Sequence, residues 1–210
     1  MADKSTLREH WENIYETKTI QDVSWTQDEP QPSLDWIRGL SLNPKEMVVD
    51  CGGGRSALAE KVVESGHEQV EVFDISIRSL AQAKMELKSD EGRNAISYRV
   101  CNVLDYKPER DIAVWHDRAV FHFLTVKEEI DTYVANLKKW VPKHIIIGTF
   151  ALDGPEKCSS LPVQRYDEKA IVALFHADYK LEKSVIWEHE TPTKKKQLMT
   201  FVHLVHRTKG

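Results

Sequence analysis

Two short segments of the sequence combine a carboxylate with the backbone freedom that a bound ligand requires. In the first, an apolar run ending at Val49 is followed by Asp50 and then by Gly52, Gly53 and Gly54. Glycines between a strand and a helix let a ligand approach the backbone closely, and the N-terminus of the helix supplies free N–H groups. The segment therefore indicates a ligand site, although a tight turn without a ligand would use the same glycines.

The second segment places another carboxylate at the end of the next apolar run. Residues 70–73 form that run, and Asp74 follows it, twenty residues after Gly54. An acid at this distance from a glycine loop can accept hydrogen bonds from ribose hydroxyls. Together the two segments predict a cofactor of the adenosine type.

The composition fits one globular domain without a nucleic-acid partner. The chain has 210 residues, of which 41% are hydrophobic and 30% charged, and its formal net charge is −4. These values favour an ordered domain and provide no basic field that would hold nucleic acid or an anionic membrane. The one dense basic run, residues 194–196, lies between two strand-like segments and is interpreted as a solvated turn.

The cysteines, histidines and termini argue against metals and membranes. The three cysteines are dispersed at positions 51, 101 and 158, which fits a reducing compartment and neither a disulfide framework nor a zinc site. His203 and His206, three apart on a predicted strand, point to opposite faces, so we expect no metal. Without a secretory signal or an apolar stretch of ~20 residues, the chain is expected to be cytoplasmic, with no membrane partner. We expect a monomer.

The order of elements predicts a fold in which helices alternate with strands. A helix is predicted over residues 6–17, and Ser33 is expected to cap a short helix. The predicted strands cover residues 46–51, 69–75, 96–101, 111–116 and 144–150, and the predicted helices cover 56–65, 76–89 and 127–140. Near-continuous apolar strands favour a parallel sheet covered on both faces.

The C-terminal part of the chain follows a different pattern. After a predicted helix over residues 167–176, two strands over 179–189 and 197–207 follow without a helix between them, so they are expected to pair as an antiparallel hairpin. The predicted fold class is α/β, a Rossmann-like αβα sandwich with a mostly parallel seven-stranded sheet and this hairpin at one edge. Residues 1–210 are predicted to form a single domain, with a helical lid at 1–40 and a core at 44–210.

The glycine loop alone leaves two cofactors open. Gly52, Gly54 and Ala57 satisfy the dinucleotide pattern G-x-G-x-x-G/A, so a nicotinamide cofactor remains an alternative. Asp50 favours S-adenosylmethionine, because a carboxylate can receive the ammonium of a methionine moiety but would repel a pyrophosphate. A carboxylate that only fixes the turn is the other interpretation. The single predicted sheet accounts for the chain, whereas a dehydrogenase usually has a second domain for its substrate. A terminal hairpin is also unlike the parallel last strands of the dinucleotide fold.

A resemblance to a known family rests on four ordered segments, residues 49–54, 72–76, 101–103 and 115–124. In these the chain resembles the class I (seven-β-strand) S-adenosylmethionine-dependent methyltransferases, over nearly its whole length. Four further segments, at 10–15, 24–27, 161–167 and 189–192, are similar to a methyltransferase-like subgroup that includes protein-lysine methyltransferases. Where those enzymes carry Asp-Lys-Gly-Thr, this chain has Asp117-Arg118-Ala119-Val120.

The resemblance implies a role for each residue of the cofactor site. Asp74 would accept both ribose hydroxyls, Ile75 would pack on the adenine, and the backbone N–H of Val103 would bind the ring. Asn102 would accept from the adenine amino group, or it would only cap a turn at the strand end. The implied cofactor-binding residues are Trp25, Asp50, Gly52, Gly53, Gly54, Asp74, Ile75, Asn102, Val103 and His116.

The candidate catalytic residues are Asp117, Arg118 and His122. The first two end the fourth predicted strand, where substrate chemistry sits in open α/β sheets. Asp117 or His122 would act as a base if the acceptor arrives protonated. Alternatively, Asp117 pairs with Arg118 or caps a turn, and His116 contributes only its backbone carbonyl. Aromatic residues of the N-terminal segment, including Trp25, are expected to cover the site, although helix residues there can also be ordinary core.

The sequence thus predicts methyl transfer from S-adenosylmethionine to a protein side chain, with lysine as one option, or to a small molecule. No Asp/Asn-Pro-Pro-Tyr follows the fourth strand, which argues against adenine or glutamine-amide acceptors. Two alternatives stay open. The chain would be an NAD(P)-dependent oxidoreductase if the loop held a pyrophosphate, or it would be a catalytically silent cofactor-binding module.

Overall fold

The computed structural model describes residues 4–208. Its strands are β1 (Met47–Cys51), β2 (Val70–Asp74), β3 (Ile96–Val100), β4 (Ile112–Arg118), β5 (His144–Phe150), β6 (Lys157–Cys158), β7 (Leu161–Pro162), β8 (Tyr179–Glu190) and β9 (Lys196–His206). Its α-helices are α1 (Lys4–Thr17), α2 (Ser33–Arg38), α3 (Leu58–Glu64), α4 (Ile77–Glu86), α5 (Asp90–Ala95), α6 (Lys127–Trp140) and α7 (Glu168–Phe175), and a 3-10 turn covers Phe121–Phe123.

Seven of the strands form one sheet in the order β3-β2-β1-β4-β5-β9-β8. Strands β1 to β5 pair in parallel, whereas β9 is antiparallel to both of its neighbours, β5 and β8. The second strand of the C-terminal hairpin thus attaches to the parallel part, and the first becomes the edge. The predicted fold class, a mostly parallel seven-stranded sheet with a C-terminal antiparallel hairpin, is confirmed.

Apolar side chains cover both faces of the sheet, as the continuous apolar strands predict. On one face, Trp115 of β4 and Ile147 of β5 pack in a cluster with Leu137 of α6. On the other face, Val114 and Ile146 pack with residues of α2, α3 and α4. Successive residues of a strand point to opposite faces, so a strand that is buried on both sides must be apolar throughout.

The structure differs from the prediction in three local features. The single helix predicted over residues 76–89 is wrong: extended Leu87 ends α4, and the Ser89 hydroxyl accepts from the Gly92 N–H at 3.0 Å to begin α5. Strand β4 runs on to Arg118, two residues beyond its predicted end. The short β6–β7 hairpin was not predicted, because strands of two residues carry no periodic signal.

Two surface features bear on the expected partners. None of the helices in residues 4–208 is long and apolar enough to cross a membrane. In the basic run that leads into β9, Lys194 pairs with Glu190 and Lys196 with Glu188, each at 2.7 Å. Much of the charge of this run is therefore matched locally.

Candidate active site

A cavity of about 350 Å³ opens at the carboxyl ends of β1, β2 and β4, where open α/β sheets bind ligands. We call it the main cavity. Seven of the predicted site residues line it: Trp25, Gly52, Asp74, Ile75, Asn102, Val103 and Arg118. A second cavity of about 400 Å³, the side cavity, lies beyond Gly54 and is lined by charged residues that include Arg55, Glu60, Glu86 and Lys88. Tyr15, Trp25 and Arg118 line both cavities.

The glycine loop brings the backbone close to Tyr15 of α1 and to Asp74 at the end of β2. Gly52 and Gly54 have φ of +60° and +49°, a region that side chains other than that of glycine rarely enter. A Cβ on Gly54 would lie 2.5 Å from the Tyr15 hydroxyl and 3.2 Å from Asp74 Oδ2. The loop is therefore shaped for close approach, and the turn alone does not explain why Tyr15 and Asp74 converge on it.

Asp74 ends β2, and one of its carboxylate oxygens is hydrogen-bonded while the other faces the glycine loop. Its Oδ1 accepts from the Ser76 N–H at 2.8 Å. Burial raises the pKa of this carboxyl to about 7, against the opposing effect of hydrogen bonds from Ser76 and Ser79. The carboxylate lies in the wall of the main cavity with acceptor capacity to spare, which suits a ligand that brings two hydroxyl donors.

The segment after β3 has the features expected of an adenine site. The Val103 N–H has no hydrogen-bond partner within residues 4–208, although Val103 lines the cavity. Asn102 Oδ1 accepts from the Leu104 N–H at 2.9 Å, so the residue caps a turn and lines the cavity as well. The two interpretations of Asn102 are thus compatible, since a carbonyl oxygen has two lone pairs.

Asp50 and His116 lie behind the glycine loop rather than in the cavity lining. His116 Nδ1 is 2.7 Å from Asp50 Oδ1, and its Nε2 is 2.9 Å from the Ser33 hydroxyl. Ser33 was expected to cap α2, but the helix begins at Ser33 with Pro32 at the N-cap position, and the Ser33 hydroxyl bonds His116. Asp50 Oδ2 is buried without a partner in residues 4–208, and an added Cβ on Gly53 would overlap it. This free acceptor fits a ligand ammonium that reaches the loop.

Asp117 and His122 are absent from the cavity lining in the described part of the chain. Asp117 Oδ1 accepts from the N–H groups of Val120 and Phe121, at 3.0 and 3.1 Å, and Oδ2 accepts from the Tyr133 hydroxyl at 2.8 Å. Burial raises the pKa of Asp117, and it lowers the pKa of His122 to about 3. These contacts hold the turn after β4. A role for either residue as a base stays a prediction that this geometry does not support.

Arg118 joins the end of β4 to the lid. Its guanidinium donates to Gln27 Oε1 and, at 2.8 Å, to the Trp25 carbonyl oxygen. Within residues 4–208 no carboxylate lies within 4.0 Å of it, so the pair considered between Asp117 and Arg118 does not form. Burial lowers its pKa to about 10, with Asp50 acting in the opposite direction.

The N-terminal segment covers the main cavity with aromatic rings. Leu7, Trp11 and Tyr15 are spaced four residues apart on α1, and all three line the cavity. The Trp11 ring lies 5.8 Å from that of Trp25 and 5.3 Å from that of Phe123, both edge-on. This arrangement agrees with a lid that excludes water.

The segment is held by contacts at both ends. Glu12 accepts from the Ile77 N–H at the start of α4, at 2.7 Å. His189 Nε2 lies 2.5 Å from the carbonyl oxygen of Ser24 in the loop before α2.

Several lining residues were not assigned to the site from the sequence. Leu104 follows β3, Leu124 and Glu129 lie around the start of α6, and Cys158 and Leu161 belong to the β6–β7 hairpin. None carries a motif for ligand binding, and only the tertiary fold brings them together. Leu161 belongs to a segment that carries the resemblance, but no role was assigned to it from the sequence.

Comparison with solved structures defines the class of fold. The chain has the fold of S-adenosylmethionine-dependent methyltransferases. One such methyltransferase, from Anabaena variabilis, aligns with a TM-score of 0.72 and 17% identity, over 96% of this chain and 95% of the other. No protein-family model and no curated protein sequence matches the chain.

Some of the similar structures contain S-adenosylmethionine or S-adenosylhomocysteine. The 1,6-didemethyltoxoflavin-N1-methyltransferase of Burkholderia thailandensis, with bound 1,6-didemethyltoxoflavin and S-adenosylhomocysteine, aligns at 16% identity and TM-score 0.68, over 96% of this chain and 88% of that one. The magnesium protoporphyrin IX methyltransferase of Synechocystis, with bound S-adenosylmethionine, aligns at 16% identity and TM-score 0.67, over 98% of each chain.

Proposed function

We propose that this protein is an S-adenosylmethionine-dependent methyltransferase acting on a small, largely apolar molecule. The observation that carries the proposal is the set of complementary groups around one cavity, namely the Asp74 carboxylate, the free Val103 N–H and the glycine loop with Asp50 Oδ2 behind it. These groups match a ribose, an adenine edge and an ammonium in turn.

The chain's own residues would position the cofactor and exclude water from the reacting centre. Asp74 would hold the ribose, Ile75 and Val103 the adenine, and Asp50 the ammonium at the glycine loop. Trp11, with its neighbours on the lid, would keep water from the reacting centre. The bound S-adenosylmethionine supplies a methyl group already activated by its sulfonium. The protein then needs mainly to align the acceptor with it.

The choice of a small acceptor is supported by the remaining wall of the main cavity. It is largely apolar and aromatic, as in most small-molecule sites, and its members include Leu7, Phe123, Leu124, Val126, Leu161 and Pro162. The similar enzymes named above, a 1,6-didemethyltoxoflavin methyltransferase and a magnesium protoporphyrin IX methyltransferase, agree with this choice. A protein lysine is the second candidate acceptor. It is favoured by Glu129, a carboxylate in the same wall that would attract an ammonium.

Binding of the cofactor is tested first, by calorimetry with S-adenosylhomocysteine. We expect binding by the wild type and a large loss of affinity in Asp74→Ala, because the ribose loses its acceptor. NADH is the matched control ligand, and it should not bind. Binding of NADH without S-adenosylhomocysteine, or an unchanged affinity in Asp74→Ala, would overturn the proposal.

The acceptor is tested with tritiated S-adenosylmethionine and a cell extract. We expect label in molecules that pass a filter retaining proteins, in extracts treated with protease and in untreated extracts alike. Label that stays with protein and disappears after protease treatment would replace the small molecule with a protein side chain. If the protein binds the cofactor but labels nothing in any fraction, it is a silent binding module.

A further inference from the structure

Arg118 is a cation in the wall between the main and side cavities, and it has no acidic partner in the described part of the chain. Its contacts are with neutral oxygens, the side-chain oxygen of Gln27 and the main-chain carbonyl of Trp25. Other arginines here are neutralised: Arg55 pairs with Glu86, and Arg99 pairs with Glu71 at 3.2 Å. An unpaired cation that is partly removed from water is costly, so such groups normally face an anion.

The two lid contacts fix the direction of the guanidinium without neutralising it. They occupy Nη1 and Nη2, and the planar group keeps further N–H donors for a ligand. A fixed guanidinium fork matches the two oxygens of a carboxylate, which it can bind through paired hydrogen bonds.

We propose that Arg118 binds a carboxylate of a ligand in the main cavity. The inference rests on the proposed function, in which that ligand is either the cofactor, through its methionine carboxylate, or an acceptor that carries a carboxylate. The charges around the glycine loop favour the cofactor. Asp50 presents an unpartnered oxygen to the loop, and Arg118 lies in the cavity wall beyond it, so the two suit the ammonium and the carboxylate of one amino acid.

Whether the carboxylate belongs to the cofactor is tested with two ligands that differ only in that group. Calorimetry would compare S-adenosylhomocysteine with its decarboxylated analogue, which keeps the ammonium, in wild type, Arg118→Gln and Arg118→Lys. We expect Arg118→Gln to lower the affinity for S-adenosylhomocysteine about 10- to 100-fold and to leave the affinity for the analogue unchanged. Arg118→Lys keeps the charge but not the fork, so its loss should be smaller. The matched control is Arg93→Gln, on exposed α5 and outside both cavities.

Whether the carboxylate belongs to the methyl acceptor is tested on protein saturated with S-adenosylhomocysteine, with benzoate as the probe. Binding of benzoate by the wild type but not by Arg118→Gln, with equal affinities for S-adenosylhomocysteine, would assign the carboxylate to the acceptor. The role of Arg118 is overturned, and the proposed function stands, in either of two cases. In the first, Arg118→Gln changes the affinity for neither S-adenosylhomocysteine nor benzoate. In the second, it lowers the affinities for S-adenosylhomocysteine and for the decarboxylated analogue equally. If the wild type binds no S-adenosylhomocysteine, the proposed function itself fails.

Thermal unfolding without ligand separates binding from structure. Arg118→Gln removes an uncompensated cation, so its Tm should equal or exceed that of the wild type while affinity falls. A Tm that drops together with the affinity for both ligands would show that Arg118 only ties the lid to β4.

Discussion

Asp50 and His116 face each other across β1 and β4, with His116 Nδ1 2.7 Å from Asp50 Oδ1. Both side chains are almost fully buried. Because a carboxylate only accepts, Nδ1 is the donor, and Nε2 is left to bond the Ser33 hydroxyl in α2. These contacts link α2 to Asp50, whose Oδ2 lies against Gly53 of the glycine loop.

Replacing His116 should therefore reduce both stability and cofactor affinity. In His116→Leu, Asp50 Oδ1 stays buried without a donor, which we expect to cost about 1–3 kcal/mol in the free energy of unfolding. Urea denaturation measures this loss, and calorimetry with S-adenosylhomocysteine measures the affinity. Ser33→Ala is the control. It removes only the outer bond, so it should cost about 1 kcal/mol and leave the affinity nearly unchanged. Equal effects of the two variants on affinity would contradict this account.

Asp74 should make cofactor binding depend on pH. Its pKa is raised to about 7, and a protonated carboxyl is a weaker acceptor for two ribose hydroxyls. The affinity for S-adenosylhomocysteine should fall by up to tenfold per unit as the pH drops below about 7, and it should level off above that value. Calorimetry between pH 5 and pH 8 tests this. Asp74→Asn should bind weakly at every pH, and a slope that persists in this variant would assign the titration elsewhere.

The same group affects stability in the opposite direction. A carboxyl whose pKa is raised on folding holds a proton that the unfolded chain releases. Its contribution to the free energy of unfolding therefore decreases as the pH rises from its ordinary pKa of 3.8 to about 7. Ligand-free Asp74→Asn should gain stability relative to the wild type between pH 4 and pH 8, as measured by urea denaturation. A difference that does not change with pH would contradict the raised pKa.

The fold could be predicted from the sequence largely because its central strands β1, β2, β4 and β5 are buried on both faces. Runs such as 145–147 are apolar without alternation, and helical periodicity separates them. The helix boundary at Leu87 could not be predicted in this way, since the residues around it suit a continued helix. It depends on the cap that Ser89 provides and on the packing of Leu87 in the core.

The residues of the candidate site also differ in how well their positions could be predicted from the sequence. Asp74 could be placed near the glycine loop because the carboxyl ends of parallel strands meet at one edge of a sheet, whereas Asn102 and Val103 were named from the family resemblance. The positions of Asp117, near the end of β4, and of His122, in the 3-10 turn, could not be predicted, because their side-chain directions depend on partners distant in sequence. For Asp117 that partner is Tyr133, sixteen residues away on α6.

Asp117 is expected to stabilise the turn after β4, and Tyr133 allows a test that leaves the carboxylate in place. The Tyr133 hydroxyl donates to Asp117 and accepts from Trp115 Nε1 at 2.9 Å. Tyr133→Phe leaves the Trp115 N–H buried without an acceptor and leaves Asp117 Oδ2 with only the Cys51 thiol at 3.6 Å, so we expect a loss of about 2–4 kcal/mol in urea denaturation. The matched variant Tyr179→Phe removes one bond to the Pro142 carbonyl and should cost about 1 kcal/mol. Equal losses would show that Asp117 does not depend on the tyrosine.

Gly54 should be irreplaceable for cofactor binding because of the Tyr15 hydroxyl as well as its own backbone. Gly54→Ala adds a Cβ at φ +49°, 2.5 Å from the Tyr15 hydroxyl, so strain and overlap act together. Gly66 separates the two effects, because its φ of +103° also disfavours alanine but nothing lies within 4 Å of the added Cβ. We expect both alanine variants to lose about 1–2 kcal/mol in urea denaturation, and only Gly54→Ala to lose affinity for S-adenosylhomocysteine. Adding Tyr15→Phe to Gly54→Ala removes the overlapped oxygen and should recover part of the stability. If it recovers none, backbone strain alone explains the glycine.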